Sequence, residues 1–129
     1  MLAYLYDFPN RSEGGLFAAK LEFPEDFPSM PPKLVFESDI WHPNVYPDGK
    51  VCISILHAPG TDRFNELESA EERWRPILSV EAVLMSVISM LGDPNDASPA
   101  NIDAAKQWRE DKKGFNRKAR RCAQKTLED

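Results

Sequence analysis

The chain has 129 residues, of which 42% are hydrophobic and 29% charged, and its formal net charge is −5. This length suits one domain with a hydrophobic core of its own, so residues 1–129 are treated as a single domain. The two cysteines have the spacing of neither a disulfide framework nor a metal site, and no apolar run reaches membrane-spanning length. These features favour a reducing cytosolic or nuclear compartment, with no metal and no membrane span.

The charge is distributed unevenly along the chain. Residues 99–129 hold nine of the 16 basic side chains and only five of the 21 acidic ones. A basic segment can bind nucleic acid, but no aromatic residue interleaves with the basic ones after Phe115. We therefore interpret the segment as the solvated face of a helix and expect no nucleic-acid partner.

Three strands are predicted in the first 40 residues. Residues 2–6 are apolar enough for a short strand, although nothing in the sequence identifies its partner. Residues 16–23 alternate between apolar and polar side chains, which predicts a half-buried strand. Four prolines follow within residues 24–32 and exclude a helix or a central strand there, and residues 33–37 form the next strand.

Residues 42–56 combine a polar corner, a turn and an apolar run. The His-Pro-Asn at 42–44 suits a bend, and the Pro-Asp-Gly at 47–49 predicts a second turn, so the chain can fold back and bring Asn44 close to Cys52. A cysteine that attacks an acyl group needs a donor where the oxyanion develops, and an asparagine amide can supply one. A cysteine between two β-branched residues is also typical of a small buried hydrophobe.

A long polar stretch separates this segment from Trp74. Loops of this length inside a compact domain are usually functional or disordered. The stretch is acidic, and its carboxylates belong to Asp62, Glu66, Glu68, Glu71 and Glu72.

Helices are predicted for the rest of the chain. Ser79 suits the N-cap of the first, whose apolar residues recur at helical spacing until the Gly-Asp-Pro at 92–94. The second helix is predicted to start with Ser98 as cap and Pro99 at its first position, and Gly114 is predicted to end it. The last helix would bury one side, formed by Phe115, Ala119, Cys122 and Ala123. Strands followed by helices predict an α+β fold with an antiparallel sheet.

The His-Pro-Asn corner, seven further residues and Cys52 together resemble the active-site signature of the ubiquitin-conjugating enzymes. The run Val-Cys-Ile-Ser-Ile-Leu-His-Ala-Pro-Gly is similar to the subgroup with an acidic loop after the cysteine, the G class of these enzymes, and Cys52 and Trp74 lie 22 positions apart. The resemblance extends from Glu13 to the C-terminus. It implies the ubiquitin-conjugating fold, an antiparallel sheet flanked by helices.

The resemblance implies that Cys52 receives ubiquitin as a thioester from the activating enzyme. With a RING-type ligase, the enzyme would then transfer ubiquitin to a lysine of a substrate or of another ubiquitin, for proteasomal degradation. No cofactor is expected on the chain, because ATP is used by the upstream activating enzyme. The expected location is the cytosol, the nucleus, or the cytosolic face of the endoplasmic reticulum through partners.

The same resemblance implies roles for residues around the cysteine. Asn44 would stabilise the oxyanion or hold its own loop in shape, and both roles stay open. The entrance for the acceptor lysine would be lined by Ser54, Asn95 and Ser98, with the acidic loop overhanging it. His57 would help the acceptor lysine or shape the loop, and we favour the second role, since no histidine is placed as a strong base. His42 is expected to be structural, with hydrogen bonds to the backbone.

Two loops would face the ligase. One is the proline-rich segment with Ser29 and Met30, although a plain rigid connector explains that segment equally well. The other follows Trp74 and contains Pro76 and Ile77.

The resemblance fails at the N-terminus. Residues 1–12 do not match, and the chain starts too late to contain the helix with which family members begin. We therefore expect residues 16–23 to form an exposed edge of the sheet. We also expect the chain to be less stable, and less readily charged with ubiquitin, than a version with a family-like N-terminus.

Two other classes of function stay open. A module of the same fold could bind ubiquitin or ligases without being charged, inactive through loss of the first helix, although family variants of that kind usually lack the cysteine. A Cys-His hydrolase would pair Cys52 with His42 or His57, and it needs an imidazole within hydrogen-bond reach of the sulfur.

Overall fold

In the computed structural model, strands and helices form the predicted α+β fold with an antiparallel sheet. The structure describes residues 2–7, 15–60, 72–95 and 99–128. Within these ranges the strands are β1 (Leu2–Asp7), β2 (Gly15–Glu22) and β3 (Lys33–Phe36), and a short 3-10 helix spans Ser54–Leu56. The α-helices are α1 (Val80–Gly92), α2 (Ile102–Glu110) and α3 (Lys112–Lys125). None of the described helices is both long enough and apolar enough to cross a membrane.

The middle strand of the sheet is β2. It pairs antiparallel with β1 on one side and with β3 on the other. Its alternating sequence buries every second side chain, namely Phe17, Ala19 and Leu21. The prediction that residues 16–23 form an exposed edge is therefore wrong. Residues 2–7, whose partner the sequence did not identify, supply the backbone hydrogen bonds along that side.

Two helices lie against the sheet, α1 beside β1 and α3 beside β2. As predicted, Ser79 caps α1, and its hydroxyl accepts the backbone N–H of Ala82 at 3.1 Å. The apolar stripe of α1 meets the inner face of the sheet because its members recur every three or four residues. Its buried members are Val83, Val87, Met90 and Leu91, which share one core with Phe17, Leu21, Leu34, Phe36 and Trp74.

The start of α2 differs from the prediction. The helix begins at Ile102 rather than at Pro99, and Ser98, the predicted cap, lies outside the described residues. Asn101 is the N-cap, and its side-chain oxygen accepts the N–H three residues later at 3.0 Å. The N–H of Asn101 donates to the carbonyl oxygen of Pro43, so a tertiary contact decides where the helix begins.

The boundary between α2 and α3 is made by Asp111 and not by Gly114. Asp111 ends α2 and caps α3, since its carboxylate accepts the N–H of Gly114 at 3.0 Å. Gly114 lies in the first turn of α3, where a Cβ would collide with that carboxylate. The buried side of α3 is otherwise as predicted, with Phe115, Ala119 and Ala123 buried and Cys122 half-buried.

Gly15 lies where β2 meets α3. A Cβ on this residue would be 2.7 Å from the ring of Phe17 and 2.8 Å from the Cβ of Ala123. Gly15→Ala should push the strand away from the helix and lower the free energy of unfolding by about 1–3 kcal/mol. The measurement is thermal or denaturant unfolding.

The control is Lys20→Ala, because Lys20 is exposed on the same strand. That variant should stay within about 0.5 kcal/mol of the parent. If Gly15→Ala is as stable as the control, β2 and α3 do not pack as closely as described.

Candidate active site

His42 is buried, and both of its ring nitrogens are bonded to the backbone. Its Nδ1 accepts the N–H of Asn44 at 2.9 Å, so the ring proton is on Nε2, which donates to the carbonyl oxygen of Met90 at 2.8 Å. This confirms the predicted structural role and ties the corner to the last turn of α1. Because both nitrogens are used, the hypothesis that His42 acts as the base for Cys52 is wrong.

Asn44 is also buried, with 2% of its surface exposed. Its Oδ1 accepts the N–H of Asn95 at 2.8 Å, and its Nδ2 donates to the carbonyl oxygen of the same residue at 2.6 Å. The amide thus holds the backbone of Asn95 from both sides. These bonds tie the loop of Asn44 to a second loop at Asn95, which goes beyond the predicted role of holding its own loop in shape; we call this its loop-holding role. The role of Asn44 at the oxyanion stays a prediction.

Pro43, between these two residues, anchors a third segment. Its carbonyl oxygen accepts the N–H of Ala100 at 2.8 Å and the N–H of Asn101 at 3.0 Å. Three consecutive residues therefore hold the end of α1, the backbone at Asn95 and the start of α2. We call residues 42–44 the corner.

The corner leads into a hairpin that ends at Cys52. The N–H of Gly49 donates to the carbonyl oxygen of Tyr46 at 2.8 Å, which closes the predicted turn. Gly49 has a φ of 100°, and a Cβ there would collide with the carbonyl of Phe36, so this turn requires glycine. On the returning strand the N–H of Cys52 donates to the carbonyl oxygen of Asn44 at 2.9 Å. The predicted proximity of Asn44 and Cys52 is confirmed.

Cys52 is half-buried, and among the residues that the structure describes, the polar side chains of His57 and Tyr46 lie near it. The Nε2 of His57 lies 3.6 Å from Sγ, because the 3-10 helix turns the chain back towards the cysteine. The side chain of Tyr46 lies on the same face of the hairpin as Cys52, because Val45 and Val51 pair between them and side chains alternate between faces. The favoured interpretation of His57 as a residue that only shapes the loop did not foresee this contact. His57, unlike His42, meets the distance condition for a Cys-His pair.

Tyr46 was not among the predicted site residues. The sequence held a weak signal for this residue. Val45 pairs with Val51 across the hairpin. Since successive side chains of a strand point to opposite faces, Tyr46 and Cys52 both lie on the face opposite to these valines. The charge of Cys52 raises the pKa of the Tyr46 phenol above its ordinary value, and burial adds to the effect. The phenol therefore stays protonated at neutral pH and can donate to the sulfur.

The structure describes some of the other residues predicted to line the site and not others. Asn95 reaches the site through its bonds to Asn44, and Ser54 starts the 3-10 helix, where its carbonyl oxygen accepts the N–H of His57 at 3.0 Å. Ser98 and most of the acidic loop (Asp62, Glu66, Glu68 and Glu71) lie outside the described residues, while Glu72 is exposed. The N–H of Trp74 donates to the carbonyl oxygen of His57 at 3.1 Å, so the insertion begins and ends beside the site.

Trp74 also joins the two predicted ligase-facing loops. Its Nε1 donates to the carbonyl oxygen of Pro28 at 2.8 Å, and its ring lies against Phe27 with centroids 5.9 Å apart. The predicted ligase-facing residues Ser29, Met30, Pro76 and Ile77 are all exposed, and Ile77 is 84% exposed.

Cys122 has different surroundings from Cys52. It packs from α3 against the main core, and burial raises the pKa of its thiol, with a further contribution from Asp39. A thiol of this kind ionises less readily than an exposed one. Elsewhere in the described ranges, no group of three or more His, Cys, Asp or Glu side chains could hold a metal ion.

Comparisons with known proteins point to one family. The model of the ubiquitin-conjugating enzyme family matches residues 11–123. Ubiquitin-conjugating enzyme E2-18 kDa of Schizosaccharomyces pombe is 61% identical over 115 residues, which is 89% of this chain and 69% of the relative. Ubiquitin-conjugating enzyme E2 13 of Arabidopsis thaliana is 56% identical over 116 residues, 90% of this chain and 69% of the relative. Human ubiquitin-conjugating enzyme E2 G2 is 55% identical over 115 residues, with 89% and 69% covered.

Asn44→Ala should destabilise the site, because it removes both hydrogen bonds to the backbone of Asn95. At about 1 kcal/mol for each bond, the loss is about 2 kcal/mol. The melting temperature should therefore fall by several degrees.

The matched control is Asn95→Ala, which keeps the backbone atoms that Asn44 binds. It should melt closer to the parent than Asn44→Ala does. Equal melting temperatures for the two variants would contradict the loop-holding role.

Proposed function

Because the chain belongs to the ubiquitin-conjugating enzyme family, we propose that Cys52 accepts ubiquitin as a thioester from the activating enzyme and passes it to lysine amines. The observation that carries this proposal is the position of Cys52. The residue is half-buried, its backbone N–H is bonded to Asn44, and its sulfur faces polar groups rather than the core. A nucleophile needs this combination of a fixed backbone and a reachable sulfur.

Two acyl transfers occur at the same sulfur. In charging, Sγ attacks the carbonyl carbon of the ubiquitin thioester on the activating enzyme, a new C–S bond forms, and the thiol of the activating enzyme leaves. In discharge, a lysine nitrogen attacks the same carbonyl carbon, a C–N bond forms and the bond to Sγ breaks. Each attack passes through a tetrahedral intermediate with a negative oxygen, which positioned donors stabilise.

Asn44 supports this chemistry first through the shape of the loop. Its bonds to Asn95 hold two predicted site residues in one place, so the entrance for the acceptor lysine is built on the corner. We propose that Asn44 also serves the oxyanion, since its backbone carbonyl is bonded to the N–H of Cys52 across the hairpin and the two residues are therefore neighbours. We propose that Ser54 and Ser98 line the same entrance.

We propose that a RING-type ligase docks on the two loops joined by Trp74. The exposed apolar side chains of Met30 and Ile77 lie on loops that the Trp74–Pro28 bond holds together. Single exposed apolar residues are common, but such a pair on two fixed loops suits a partner surface. The ligase would bring substrates, with proteasomal degradation as the outcome.

We propose that the acidic insertion orients an acceptor ubiquitin. Its two ends meet beside the site through the bond between Trp74 and His57, and Glu72 is exposed at its C-terminal end. Charges held near the entrance can orient a basic partner without touching the sulfur. The proposed place of action is the cytosol, the nucleus, or the cytosolic face of the endoplasmic reticulum through partners.

The test is charging with activating enzyme, ATP and ubiquitin, followed on gels with and without reductant. Cys52→Ser should abolish the reductant-sensitive adduct, and any ester formed through the serine oxygen would resist reductant. Cys122→Ser should charge nearly as well as the parent, because its thiol packs against the core. A reductant-sensitive adduct that survives in Cys52→Ser and disappears in Cys122→Ser would overturn the assignment.

A further inference from the structure

Two independent parts of the fold bring polar groups to the sulfur of Cys52. His57 is held on both sides by its backbone, because its N–H donates to Ser54 at 3.0 Å and its carbonyl oxygen accepts the N–H of Trp74 at 3.1 Å. Tyr46 is held by the hairpin, where its N–H donates to the carbonyl oxygen of Lys50 at 2.9 Å. The backbones of both residues are therefore held by main-chain bonds that do not involve the sulfur.

The chemistry of the two groups is complementary. The Nε2 of a neutral imidazole can accept a proton, and it lies 3.6 Å from Sγ, a distance that tightens readily when a substrate binds. The phenol of Tyr46 is a donor at neutral pH, and its side chain lies on the same face of the hairpin as Cys52. One group can remove a proton at the sulfur, and the other can stabilise negative charge on it.

We propose that His57 is the proton acceptor for both acyl transfers at Cys52 and that the Tyr46 hydroxyl stabilises the sulfur when it carries negative charge. This inference rests on the proposed function and assigns catalytic roles within it. It replaces the view that the acceptor lysine finds no base at this site.

During charging, one proton moves from Cys52 to the leaving sulfur by way of His57. The Cys52 thiol gives its proton to His57 as Sγ bonds to the carbonyl carbon. His57 then returns the proton to the sulfur of the activating enzyme as the old C–S bond breaks. No proton is gained or lost overall.

Discharge releases one proton. The lysine ammonium gives a first proton to His57, which passes it to solvent, and the neutral nitrogen attacks the carbonyl carbon. The C–Sγ bond breaks with its electron pair on sulfur, where the Tyr46 hydroxyl donates to it. The second proton of the new amide nitrogen is then transferred to that sulfur, which returns Cys52 to the thiol.

The first experiment needs neither ubiquitin nor activating enzyme. In a Cys122→Ser background, which leaves one thiol, the rate of alkylation of Cys52 by iodoacetamide at neutral pH is followed by intact mass. His57→Gln keeps a polar group of similar size without a proton-accepting imidazole, and it should slow alkylation by about tenfold, since an unassisted cysteine is only a few per cent thiolate. Tyr46→Phe should also slow alkylation.

The second experiment measures single-turnover discharge of the charged enzyme to free lysine. His57→Ala should lose about 10²-fold in rate, which is the usual contribution of one general base. Added imidazole should restore a substantial part of the rate in His57→Ala and leave the parent unchanged. A residue that only shapes the loop would show no such rescue.

The outcomes separate this inference from the proposed function. Parent rates in His57→Gln, or loss without rescue in His57→Ala, would overturn the catalytic role of His57 while the thioester itself remains. Parent rates of alkylation and of discharge in Tyr46→Phe would remove Tyr46 from the proposal. If the parent cannot be charged, the proposed function fails, and the alkylation arm still decides whether His57 acts on the thiol.

Discussion

The fold of this chain depends on the polar corner at residues 42–44, in which each residue bonds a different segment. His42 holds the end of α1, Pro43 holds the start of α2, and Asn44 holds the backbone at Asn95. The corner is buried, so a lost partner would leave a desolvated polar group at a cost of about 1–3 kcal/mol. Segments that are distant in sequence are thereby fixed around one point, and the hairpin that carries Cys52 starts from it.

The position of the sulfur follows from the corner in two steps. The hairpin sets Cys52 opposite Asn44 and places Tyr46 on the same face. The 3-10 helix then returns the chain so that the Nε2 of His57 lies 3.6 Å from the sulfur. The imidazole near the sulfur is therefore placed there by the turn of the chain and not by direct adjacency in sequence. The acidic insertion follows His57 in the chain, and the bond between Trp74 and His57 joins its two ends. The proposed surface for the acceptor ubiquitin is therefore attached beside Cys52.

Sequence reasoning worked where the signal is local. The alternation in β2, the cap at Ser79 and the turn before Gly49 each depend on residues within a few positions, and all were predicted. It failed where a distant partner decides. The pairing of β1 and the start of α2 depend on hydrogen bonds that no short window contains. The approach of His57 to Cys52 is local, but it depends on a 3-10 helix that the apolar run at residues 53–56 did not predict. The order of strands and helices predicted the fold class, and the family resemblance led to the proposal of Cys52 as nucleophile but did not point to Tyr46.

The central claim is that the corner acts as one unit, and amide hydrogen exchange tests it most directly. Three amides report on the corner: Cys52 bonds the Asn44 carbonyl, Asn95 bonds the Asn44 side chain, and Asn101 bonds the Pro43 carbonyl. In Asn44→Ala, the account predicts that protection of all three falls together, and by more than the protection of the β2 amides, which report on global unfolding. Faster exchange at Asn95 alone, with Cys52 and Asn101 protected as in the parent, would contradict it.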